Sequence, residues 1–248
     1  MHRMGHLLMP AATTEEERAR QAAVAILPVG SFEQHGPHLP LATDTVVACV
    51  LAQAVAAEYP VLHLPPITIS CSHEHSTWPG TVSISAATLA AIVTDIRHSL
   101  QRAGVAKLAV INGHGGNYVL RNVVQEASLD GPAMAIYPDG GDWGRARAAA
   151  DMTTDDQQDM HAGELETSIL LHACPQLVRG GYHREDHLAG ERSGLLTTGM
   201  QAYTTSGVIG RPSLAAAAKG KAALEYLVAS FAACLRMLDP HAVGRPDA

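Results

Sequence analysis

A chain of 248 residues with 47% hydrophobic side chains can bury a sizeable core, which speaks against gross disorder. A formal net charge of -7 and only 4% aromatic residues speak against a nucleic-acid partner, because there is neither a basic face for phosphates nor a stacking surface for bases. No run reaches the roughly 18 apolar residues of a membrane span, Glu15, Glu16 and Glu17 break the N-terminal apolar stretch, and Cys49, Cys71, Cys174 and Cys234 are too scattered for a disulfide scaffold, so the expected setting is a reducing cytoplasm.

The first element is Val24-Ala25-Ile26-Leu27-Pro28-Val29, an apolar run of strand length that reads as a buried strand. Glu33, His35 and Asp44 follow it. Residues 43–58 are rich in Ala and Val without Gly or Pro, and read as a helix with Thr43 or Asp44 at its cap. Residues 61–64 and 67–69 read as short strands. The stretch from Ser72 to Thr81 is a His-rich loop in which His75 and Trp78 are candidates to line a pocket, while His73 and Glu74 read as ordered surface. Residues 85–103 form a helix capped by Ser85, with Leu89, Ile92, Ile96 and Leu100 at helical spacing and Gly104 at its end.

Residues 107–112 are a strand with few polar interruptions, as in a sheet covered on both faces. Residues 118–128 read as helix and 133–137 as strand. From Gly140 to Gln158 the chain is polar and poorly periodic, and reads as a long loop or lid carrying Trp143. Residues 163–173 and 213–238 read as helices. Such alternation predicts one α/β domain over residues 1–248, with a mainly parallel sheet and a motif-bearing core at about residues 24–175.

The chemistry gathers where strands end. Glu33, His35 and Asp44 combine carboxylate and imidazole, the donor types of a zinc or manganese site, beyond a buried strand. Asn112-Gly113-His114-Gly115-Gly116-Asn117 again lies between a strand and a helix. A glycine-rich turn there suits phosphate, but the Walker Lys-Ser/Thr and the dinucleotide spacing are missing. A central histidine favours metal or acid–base work instead. In His161-Ala162-Gly163-Glu164-Leu165-Glu166-Thr167-Ser168, His161 and Glu164 stand three apart and share one face if helical. A helix start with carboxylates at its positive end accounts for that spacing equally well.

Taken in order, Glu-x-His followed by Asp, the Pro-Gly-Thr turn at Pro79, Asn-Gly-His-Gly-Gly-Asn and His-Ala-Gly-Glu-x-Glu-Thr-Ser resemble the creatininase (creatinine amidohydrolase) family. The resemblance runs over about residues 26–171. It implies a three-layer α/β/α sandwich, two divalent metal ions per chain (zinc, manganese or iron) and hydrolysis of non-peptide amide bonds. It also implies a homo-oligomer, often a hexamer. Family members include creatininases, a formamide deformylase and the peptidase of mycofactocin maturation.

Carried over residue by residue, the resemblance makes Glu33, His35, Asp44 and His114 metal ligands, with Asp44 bridging, and His161 the acid–base group. Creatininase has Tyr and a metal-binding Glu after the histidine of its second motif, where this chain has Gly115 and Gly116. One ligand must then come from elsewhere. Glu164 is the candidate, with Glu166 as the alternative or as a support behind the ligands. The lost pair also turns the expectation away from creatinine itself. The reading is a dinuclear-metal-dependent amidohydrolase acting on a cyclic amide, lactam or formamide of a small molecule. The alternatives are a metallopeptidase trimming a small peptide precursor and a non-catalytic metal-binding protein.

Overall fold

A computed structural model describes residues 9–241 of the chain. Four parallel strands, β1 (Val24–Val29), β2 (Leu62–His63), β3 (Lys107–Asn112) and β4 (Met134–Tyr137), form one sheet in the order β2-β1-β3-β4. β1 pairs along its whole length with β3, from Val24 opposite Lys107 to Val29 opposite Asn112. Every residue of β1 is buried, as the uninterrupted apolar run requires of a strand covered on both sides.

The helices are α1 (Thr14–Arg20), α2 (Thr43–Glu58), α3 (Ala86–Arg102), α4 (Val119–Ala127), α5 (Gly140–Ala149), α6 (Glu164–Ala173), α7 (Leu195–Thr198) and α8 (Ala217–Leu238). Period-two alternation divides the strands between two cores. Val24, Ile26, Ala109, Ile111 and Tyr137 face α2, α5, α6 and α8. Ala25, Leu27, Val29, Leu108, Val110 and Met134 face α3 and α4 through Leu89, Val93, Leu120 and Val123. The architecture is therefore the expected α/β/α sandwich. Phe231 of α8 is fully buried between Tyr59 and Tyr137, with ring centroids at 5.6 and 5.2 Å. Truncating an aromatic ring so placed costs about 3–5 kcal/mol. Among the described residues no helix is long and apolar enough to cross a membrane, and all four cysteines are buried free thiols.

Three expectations need correction. The segment read as a loop from Gly140 begins with α5, because Asp139 and Asp142 form a capping box: each side chain accepts the other's backbone N–H. Trp143 therefore sits on a helix. Residues 67–69 are not a strand; only Ile67 bridges to Val29. The last helix starts at Ala217, after a separate turn at Pro212–Leu214. α1 has no counterpart among the expected elements; it rests on a capping box of Thr13 and Glu16 and buries no residue.

Candidate metal centre

The chain steps from β1 to β2 on one side and later to β3 on the other, so the carboxyl ends of β1 and β3 open a crevice at a topological switch point. The polar motifs converge there. Glu33 and His35 lie in the loop after β1, Asp44 in the first turn of α2, His114 just beyond β3, and Glu166 in the first turn of α6. His161 precedes α6 and is held by an antiparallel bridge to Ile209, with N–H···O distances of 2.9 and 3.0 Å. Close approach of α2 depends on Gly113, where a Cβ would stand 2.3 Å from the Asp44 carbonyl oxygen.

Three donor triads have their donor atoms within 4.8 Å of one another: Glu33, Asp44 and His114; His35, Asp44 and Glu166; and Glu33, His35 and His161. The first two share the Asp44 carboxylate. Asp44 Oδ1 is 2.9 Å from His35 Nε2, and Asp44 Oδ2 is 2.8 Å from His114 Nδ1. Ser31 Oγ donates to Oδ2 at 2.7 Å and fixes the carboxylate. Glu33 is wholly buried, and neither of its carboxylate oxygens has a hydrogen-bond partner among the described residues. An orphaned buried carboxylate costs several kcal/mol unless a cation compensates it.

The ring nitrogens report the same demand. His35 Nδ1 donates to the Glu33 carbonyl at 3.0 Å, His114 Nε2 to the Cys71 carbonyl at 2.8 Å, and His161 Nε2 to the Gln34 carbonyl at 2.7 Å. Each neutral ring therefore turns its lone pair toward the carboxylates, the arrangement of metal-ligating histidines anchored from behind. Without a cation, protons must take its place. Burial would lower the imidazolium of His35, but Asp44, Glu166 and Glu33 outweigh it and push it up to about 10. His114 is likewise raised well above the ordinary range, with Glu33 and Asp44 overcoming burial. Burial pushes Glu166 up to about 7. Burial and the neighbouring His35 hold His161 well below the usual histidine range, so its inward Nδ1 is free to accept a proton. The donor set fits a divalent cation of the zinc or manganese class.

Glu164 does not join this cluster. Its Oε1 meets the Lys219 ammonium, and its Oε2 accepts from the Thr154 hydroxyl at 2.6 Å and the Thr154 N–H at 3.3 Å. The physical reason is local. α6 begins only at Glu164, and Ala162 before it takes a left-handed φ of 55°, so His161 and Glu164 do not share a helix face. Glu166 does reach the cluster: its Oε2 accepts the Ala162 N–H at 2.6 Å and its Oε1 lies 3.9 Å from His35 Nε2.

A cavity of about 120 Å³ opens over the centre, lined among others by Glu33, His75, His114, His161, Glu166 and Tyr118. His75 thus lines the pocket, and Trp78 packs against it from outside, ring centroids 6.5 Å apart. Trp143 lines a neighbouring cleft of about 510 Å³ that also borders His114 and Tyr118. A third cleft, of about 310 Å³, meets the pocket at Glu74, Gly116 and Tyr118. Glu74 and Leu195 also line the pocket; the sequence places Glu74 at the surface and singles out neither Leu195 nor Gln34, whose carbonyl anchors His161. Glu74 had a usable signal in its place between two histidines; Leu195 had none.

The creatininase (creatinine amidohydrolase) family model matches residues 10–235. The mycofactocin precursor peptide peptidase of Mycolicibacterium smegmatis is 31% identical, over 95% of this chain and 94% of its own length. A mutant creatininase superimposes with a TM-score of 0.78 at 25% identity, covering 93% of this chain and 98% of the other. A structure described as creatininase with Mn gives a TM-score of 0.74 at 27% identity, covering 91% and 95%.

Proposed function

The chain belongs to the creatininase family, and on that footing we propose that it is a dinuclear metal-dependent hydrolase that cuts an amide C–N bond in a peptide. The observation that carries this is the pair of donor triads sharing Asp44, buried except at the half-buried Glu166. Glu33, Asp44 and His114 would hold one cation, and His35, Asp44 and Glu166 the other. Two cations held there would supply an acidic water and polarise the amide carbonyl.

The chain's own residues do the rest. Asp44 stays in place through Ser31 and the first turn of α2. His161, anchored through Nε2, presents Nδ1 to the cavity, where it can take the proton of the attacking water and return it to the leaving nitrogen.

The clefts favour a peptide over a small lactam. Those of about 510 and 310 Å³ adjoin the central pocket and share Tyr118 with it, which suits an extended substrate. The peptidase likeness in M. smegmatis points the same way. A small formamide or lactam is the second reading, favoured by the mere 120 Å³ directly over the centre. Protein loaded with zinc or manganese, incubated with short peptides, N-formyl amines and lactams and followed by mass spectrometry, separates the two. Cleaved peptides are expected. Turnover of lactams or formamides alone would install the second reading, and no turnover of any class would overturn both.

A further inference from the structure

The Gln34 carboxamide has three contacts and only one orientation that satisfies them. Its Oε1 accepts the Gly36 N–H at 3.0 Å, its Nε2 donates to the Gly207 carbonyl at 3.1 Å, and the same Nε2 lies 2.9 Å from His75 Nδ1. Turned over, the amide would set N–H against the Gly36 N–H and oxygen against the Gly207 carbonyl. The nitrogen therefore faces His75. An imidazole that meets an N–H donor through Nδ1 must accept there and carry its proton on Nε2.

Nε2 is the ring nitrogen on the cavity side. It lies 3.2 Å from Glu33 Oε1, a carboxylate oxygen that has no hydrogen-bond partner among the described residues. His75 is thus the reverse of His35, His114 and His161: they turn a lone pair inward, and it turns an N–H inward. It has no lone pair to give a cation. Its ring is buried and held between His161, centroids 4.5 Å apart, and Trp78.

We propose that His75 donates its Nε2–H to the carbonyl oxygen of the substrate and stabilises the negative charge that develops there, with Gln34 as the residue that positions it. The proposal rests on the amide-hydrolase reading. His75 and His161 face one cavity of about 120 Å³, so a fixed donor and a proton carrier meet the same scissile bond. A donor whose tautomer is set before the substrate arrives needs no reorganisation during the reaction.

The test has two arms on the full chain. The first is long-range ¹H–¹⁵N correlation of histidine-labelled protein, metal-free and zinc-loaded. The Nε2–H tautomer of His75 is expected in both states; an Nδ1–H tautomer, or a zinc-induced shift at Nε2, would overturn the assignment. The second arm compares His75→Leu and His75→Gln on a peptide that the wild type cleaves. His75→Leu is expected to lose about 10²–10³-fold in kcat, with KM and zinc content held, and His75→Gln, which keeps an N–H donor, to recover part of it. Loss of zinc, or unchanged kcat, would remove His75 from this role. If His75→Leu does not fold, His75→Gln and the tautomer decide. A wild type that cleaves nothing sinks the hydrolase reading instead, while the tautomer still reports whether His75 is a donor.

Discussion

Glu164 and Glu166 lie two residues apart in one motif, and the structure predicts opposite losses when each is replaced by glutamine. Glu164 is wholly buried and paired with Lys219, whose side chain is 24% exposed and whose Nζ also donates to the Leu214 carbonyl at 2.9 Å. Glutamine keeps an acceptor for Thr154 but leaves the ammonium with only the carbonyl and partial hydration. A charged hydrogen bond of this kind contributes about 1.5–3 kcal/mol. With roughly 2–4 °C per kcal/mol for a chain of this size, the Tm of Glu164→Gln should fall by about 3–12 °C. Its metal content should not change.

Glu166→Gln should show the reverse: metal content falls and the metal-free Tm barely moves. Lys219→Met leaves Glu164 buried without its partner and should cost more than Glu164→Gln, about 3–5 kcal/mol. The double variant should cost less than the sum, because each substitution removes the same interaction. Calorimetric melting with elemental analysis of the four proteins checks this. Metal lost from Glu164→Gln at unchanged Tm would refute the reasoning and return the ligand role to Glu164.

Three further outcomes are expected. Because His35 and His114 hold protons in the cation-free centre and Glu166 titrates at about 7, zinc binding at pH 7 should release on the order of two protons per chain; titration calorimetry in buffers of different ionisation enthalpy measures it, and zero release would contradict the donor set. Burial pushes His38 down to about 4, so the folded state keeps it neutral while the unfolded chain takes a proton below about 6.5. Stability is then present above pH 6.5 and lost as pH falls toward 4, by on the order of 2 kcal/mol from this group. Wild type should lose more Tm between pH 7.5 and 4.5 than His38→Gln, and equal losses would dismiss the assignment. In Gly116→Ala, the new Cβ would meet Glu74 Oε1 at 2.2 Å and His114 Nε2 at 2.4 Å. It should displace His114 and weaken zinc binding at least 10-fold in a competition assay with a chromophoric chelator; unchanged affinity would mean that His114 is not a ligand.

Much of the fold was legible because its signals are local. The apolar run at Val24–Val29 and the Ser85 cap of α3, which accepts the Thr88 N–H, need no distant partner. The same holds for Glu33, His35, Asp44 and His114, polar groups at the ends of buried strands. The surroundings of Glu164 are not legible locally, because its partner, Lys219, lies 55 positions along the chain and a left-handed residue breaks the helical count from His161. The lid reading of the segment from Gly140 failed for a different reason: a carboxylate capping box started a helix where hydrophobic periodicity was weak. Nothing local singles out Gln34, since the carbonyl that orients it belongs to Gly207, 173 positions away.

The most direct test of the central claim is peptide hydrolysis measured against metal content in one titration. Chelator-stripped protein receives zinc or manganese in steps, and bound metal and turnover are read from the same samples. Turnover should be absent in the stripped protein, rise steeply as the second ion enters and level off at about two ions per chain, as a centre sharing Asp44 requires. Full turnover in the stripped protein, or a plateau reached with one ion, would contradict the dinuclear account.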